Sequence, residues 1–259
     1  MSTNTISADK DDLATIAAVG VLAYLSADVI HHAFGHGGAC VLTGGTINLL
    51  SSIFVDCSVH GAMTDLAGPF ANLVFGFLTL FLSKRTTDTK LKLFLILASA
   101  FNLFWFEMQM AFSLVSKTDD WAWAIQQAGL ADFWRYALVI IALVAYRLSI
   151  QSIAKQIAPY ASTESRIRRM MIVCWLAAGA IALATAMLDN NAIWAIFHRA
   201  LPQSMLLSIG LLFVAKHSRG NSSIIQNATL YRSTPWIAIA VVMSILSIGL
   251  LGHGVPVHF

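Results

Sequence analysis

The chain has 259 residues, 58% of them hydrophobic and 11% charged, with a formal net charge of +3. An ordinary soluble domain carries roughly 25% charged residues, so the composition excludes that class and fits an all-α polytopic membrane protein. The small positive balance reflects topology, and no nucleic-acid partner follows from it.

Apolar runs at 13–30, 66–83, 93–115, 136–146, 170–188, 200–215 and 235–252 predict about seven transmembrane helices. The fourth run is short, and the stems of Arg135 and Arg147 extend it to 133–150 by snorkelling. Twelve basic residues fall in alternate connections: Lys84, Arg85, Lys90, Lys92, Arg147, Lys155, Arg166, Arg168, Arg169, Lys216, Arg219 and Arg232. Only Lys117, Arg135 and Arg199 lie on the other side, so the positive-inside rule puts the N-terminus in the cytoplasm and the C-terminus outside.

Residues 1–12 form a polar tail with Asp9, Asp11 and Asp12, and lack the basic start of a signal peptide. The first span ends in Asp28-Val-Ile-His31-His32-Ala33-Phe34-Gly35-His36-Gly37-Gly38. On an α-helix Asp28, His32 and His36 share one face, with His31 on its flank. Two imidazoles one turn apart can bind one divalent metal, and ionisable groups inside a bilayer are costly and usually functional. Thr43-Gly44-Gly45 predicts the helix stop, and 46–59, with Ile47, Ile53, Val55 and Val59, predicts a short extended or hairpin segment. Cys40 and Cys57 fall on the outer side, where a disulfide can form, although their spacing does not require one.

The second span opens at Asp65-Leu-Ala-Gly68-Pro69-Phe-Ala-Asn72, where Asn72 needs a polar partner. With it, the order of motifs resembles the site-2-protease-like (M50) intramembrane metalloproteases: His32-Ala33-Phe34-Gly35-His36, Leu42-Thr43-Gly44-Gly45, a strand-like segment, then Ala67-Gly68-Pro69-Phe70-Ala71-Asn72. The likeness covers about 28–122. It implies a Zn²⁺ site with His32 and His36 as ligands, Asn72 as the polar residue of the second core helix, and Asp120 of Asp119-Asp120-Trp121-Ala122 as third ligand. It also implies a three-helix core over 13–131, with 132–259 as a supporting bundle. Partners would be membrane lipids and a transmembrane peptide or protein substrate, in a bacterial inner or cell membrane.

The family's general base follows its first histidine, and Ala33 stands there. Such a base is typically worth 10²–10⁴-fold. The chain therefore reads as an enzyme using His31 or Glu107 as base, as an inactivated form, or as a pseudoprotease that binds without cutting. Two other classes compete: a transporter binding ions transiently, and a di-iron membrane oxygenase, which would need several histidine boxes where this sequence has one.

Overall fold

The computed structural model describes residues 11–160, 163–218 and 229–257. Among these are seven helices long and apolar enough to cross a membrane: α1 (Leu13–Leu42), α2 (Ala62–Arg85), α3 (Thr89–Ser116), α5 (Asp132–Ile157), α6 (Glu164–Ala186), α7 (Ala192–His217) and α8 (Thr234–Leu251). A short α4 (Asp119–Gln127) lies between α3 and α5. Most of the helices are longer than the apolar runs suggest. Span one continues to Leu42, and span two begins at Ala62, because the polar site residues sit inside the helices.

α3 is the central helix. Trp105, Phe101 and Phe104 are fully buried there, and α1, α2 and α5 pack around it. The outer surface is apolar, with Phe77, Phe81, Ile140, Val144, Val241 and Ile245 exposed, while Asp28, His31, Asn72, Asn102, Glu107 and Gln109 are buried. Polar groups inside and apolar groups outside is the arrangement a hydrocarbon solvent demands, since it offers no hydrogen bonds.

The 46–59 segment forms strands β1 (Ile47–Leu50) and β2 (Val55–Cys57), paired antiparallel through Leu50↔Val55 and Ile47↔Cys57. The turn is tied by Ser51, whose hydroxyl donates to Phe54 O at 3.0 Å and whose amide donates to the same oxygen at 2.9 Å. A third strand, β3 (Val255–Val257), adds to the far side of β1 and gives the order β2-β1-β3. Gly252-His253-Gly254 separates it from α8, but three residues are too few for an alternation to mark a strand in the sequence. Cys40 and Cys57 form a disulfide that ties the end of α1 to β2.

α7 is irregular. Its backbone shifts to π-helical geometry over Ile196–Ala200 and Pro202–Leu206 and opens into turns before Leu211. Pro202 lacks an N–H and cannot continue a regular ladder. Tyr146 of α5 repairs part of the break: its hydroxyl donates to Leu207 O at 3.0 Å and accepts from Gly210 N at 2.6 Å.

At the opposite end from the hairpin, Asp11 clamps three chain segments. Arg166 donates to both its carboxylate oxygens at 2.6 Å, and Leu230 N donates at 3.1 Å. Burial acts to raise the Asp11 pKa, but the Arg166 and Leu230 hydrogen bonds and the Arg166 and Arg169 charges outweigh it and hold the carboxyl below its ordinary 3.8. A depressed folded pKa contributes stability above the ordinary value, which is lost as pH falls through the folded one. Asp11→Asn should therefore cost about 1–3 kcal/mol near neutrality. Thermal unfolding of both proteins from pH 7 downward checks this, the gap between them closing in acid. Thiol labelling checks the disulfide: unfolded but unreduced protein should react at Cys174, the free cysteine, and not at Cys40 or Cys57.

Candidate metal centre

The C-terminal end of α1 leaves regular α-geometry. From Ile30 to Gly37 it is a π-helix, in which hydrogen bonds run from i to i+5 and residues five apart share a face. This changes which histidines meet. His31 and His36 converge, with their Nε2 atoms 3.1 Å apart. Asp120, in the first turn of α4, brings Oδ2 to 3.5 Å from His31 Nε2 and 3.3 Å from His36 Nε2. His31, His36 and Asp120 thus form the group with metal-ligand spacing among the described residues.

His32, expected as a ligand from the i, i+4 spacing, is not part of that group. Its Nδ1 lies 3.2 Å from Asp28 Oδ1, both side chains are buried, and the contact lacks hydrogen-bond geometry. Its ring stays close to the centre, 6.2 Å from His36 and 4.8 Å from His31 between centroids. Gly35, Gly37 and Gly38, of low helix propensity, make the α-ladder easier to disturb here, but they do not say which histidine moves.

A chain of hydrogen bonds across three helices fixes the tautomer of His31. Asn102 Nδ2 donates to Ala98 O at 2.8 Å within α3, which leaves Asn102 Oδ1 as an acceptor. Asn72 Nδ2 donates to that oxygen at 2.8 Å and to Ala27 O at 3.3 Å. Asn72 Oδ1 must then accept from His31 Nδ1, 2.5 Å away. On the other ring, His36 Nδ1 donates to Thr64 O at 2.7 Å. Both histidines are therefore protonated at Nδ1 and present Nε2 as a lone pair.

Two lone pairs and a carboxylate oxygen meet at one point. Three acceptors at such separations repel unless a positive charge lies between them, a metal ion or a proton. Burial of Asp120 acts to raise its pKa, but a proton taken up at the facing His36 and His31 Nε2 atoms, with the hydrogen bonds it brings, outweighs burial and holds the carboxyl below the ordinary range. Gln109 Nε2 donates to the same Oδ2 at 2.8 Å. The triad lies on a cavity of about 370 Å³, walled by His32, Gln109, Arg199, Gln203, Trp123 and the hairpin residues Ile53, Phe54 and Val55.

Other expected residues divide. Asn72 is completely buried and holds His31. Glu107 does not reach the cavity: it is buried on α3, where Ser149 Oγ donates to Oε1 at 2.5 Å. Ala33 is half-buried and off the cavity wall. His60 lines the cavity, His198 stacks on Trp194, His253 is exposed, and His258 lies outside the described residues. Gln109, Thr64 and Arg199 could not be picked out from spacing, because each acts on the site from a different segment.

Close approach of α1 and α2 depends on two glycines. A Cβ on Gly35 would stand 2.5 Å from Gly68 Cα, and one on Gly68 would stand 2.3 Å from His36 Nε2. Comparison of the chain with protein-family models, with curated proteins and with solved structures finds no match. The site therefore rests on its own geometry. Gly35→Ala should destabilise the protein by about 1–3 kcal/mol through overpacking, which thermal unfolding measures. Gly38→Ala, with open space around it, should not.

Proposed function

We propose that the chain is a membrane-embedded metalloprotease scaffold of the site-2-protease-like kind, holding one zinc ion through His31, His36 and Asp120. The observation that carries this reading is the convergence of three fixed acceptor atoms at 3.1–3.5 Å. Ligand atoms on a tetrahedral zinc with bonds of about 2.0–2.1 Å stand roughly 3.3–3.4 Å apart. Two imidazoles and one carboxylate suit zinc and leave a fourth position for water or substrate. Bound there, a divalent ion supplies Lewis-acid polarisation of a carbonyl and activation of water.

The chain's own residues supply the rest. Asn72 and Thr64 orient the two rings, as outer partners of metal-bound histidines do. With His31 in the ligand set, the side chain after the first ligand is His32, and Ala33 is no longer at the base position. His32 faces the cavity with Asp28 behind it and is the group placed to take a proton from water. The outer edge of β2 pairs with no strand among the described residues, and the hairpin lines the cavity. An extended peptide could add to that edge through its backbone.

The basic connections lie at the end of the bundle away from the triad. By the positive-inside rule the N-terminus would then be cytoplasmic and the metal centre on the outer side, a reading that the Cys40–Cys57 disulfide supports because disulfides persist outside the cytoplasm.

Metal analysis tests the assignment. Purified protein should hold about one zinc per chain, His31→Ala and His36→Ala should release it, and His32→Ala should keep it. Loss of zinc from His32→Ala with retention in His31→Ala would reject the ligand set, and a zinc-free wild type would leave a shared proton as the occupant. Binding should weaken on acidification, because protonation removes the Nε2 lone pairs.

A further inference from the structure

The zinc ligands come from α1 and α4, yet the group that steadies the third ligand comes from α7. Asp120 follows Asp119, which adopts the left-handed conformation at φ 74°, an uncommon state for a residue other than glycine. Such a conformation persists only where surrounding contacts hold it. Both Asp119 oxygens are engaged: Arg199 Nη1 donates to Oδ1 at 2.8 Å, and Gln109 Nε2 lies 3.3 Å from Oδ2 while also donating to Asp120 Oδ2. Arg199 is braced in turn, its guanidinium 5.6 Å from the centre of the Trp194 ring. The two residues are five apart, and the π-helical stretch Ile196–Ala200 brings them to one face.

We propose that Arg199 is a positioning residue of the metal centre. By holding Asp119 in its left-handed conformation, beside the shared Gln109, it sets where Asp120 stands, so the affinity for zinc is tuned from the sixth span. This rests on the zinc reading above. It also assigns a role to Asp119, which the sequence places beside a ligand without giving it one.

The test measures zinc affinity by chelator competition, and the visible absorption of cobalt-substituted protein, on the full chain in detergent. Arg199→Gln should weaken zinc about 10–100-fold, the usual effect of losing an outer partner, and should alter the cobalt spectrum. Arg199→Lys should restore part of the affinity. Asp119→Asn should weaken zinc alone and add little to Arg199→Gln, because both break one chain of contacts. Wild-type affinity and an unchanged cobalt spectrum in Arg199→Gln would overturn the proposal, as would losses that multiply in the double variant. Should Arg199→Gln fail to fold, Asp119→Asn decides by itself: it removes one charge, and unchanged zinc affinity there is equally fatal. A wild type without zinc defeats the underlying reading instead.

Discussion

Asn72 lies where α1, α2 and α3 meet, and its carboxamide is the hinge of the centre. It is fully buried, donates to Ala27 O and Asn102 Oδ1, and accepts from His31 Nδ1. In a low-dielectric interior every one of these groups would be costly alone, so the network is stable as a set and defines one arrangement. Its direction is settled at the far end, where Asn102 donates to its own helix. From that point the donor and acceptor roles follow in sequence until one lone pair is left, facing the cavity.

The same constraint accounts for the irregular backbone. A straight α-helix at the end of α1 would place His32 and His36 together and turn His31 away. The π-helical stretch redirects the face by one residue, and the Gly35–Gly68 contact lets α2 approach closely enough to cap His36 through Thr64. π-helical segments occur frequently at functional sites, and here one re-aims side chains that a regular helix would spread. α7 uses the device again: a π-turn brings Trp194 and Arg199 to one face beside the site, and a second irregular stretch from Pro202 opens into the break that Tyr146 partly satisfies.

The hairpin joins the bundle to this centre by a covalent tie and by pairing. The disulfide fixes β2 to the end of α1, and β3 returns from α8 to occupy the far edge of β1. A two-stranded hairpin is marginal by itself, and a third strand with an apolar face gives it support. Cys40, Ile47 and Cys57 form its small buried core, against which Leu50, Val55 and Val257 pack. The β2 side and the turn are left facing the cavity, so β3, the last strand among the described residues, helps to place the residues over the His31, His36 and Asp120 group.

Much of this was legible in the amino-acid sequence. Composition and apolar runs determined seven helices long and apolar enough to cross a membrane, because hydrophobic length is a local property of the sequence. The β-branched residues of 46–59 determined a strand segment, and the unusual concentration of His31, His32, His36 and Asp28 marked the site. Asn72 declared itself as a polar group in need of a partner. Tertiary structure alone decided which imidazoles converge, since the choice between His31 and His32 turns on one residue of helical phase, set by packing of Gly35 on Gly68. It likewise decided that Glu107 pairs with Ser149 away from the cavity, that Cys40 meets Cys57, and that Arg199, eighty residues beyond Asp119, reaches its carboxylate. Each of these is a contact between segments distant in the chain, and no periodicity within one segment encodes the approach of another.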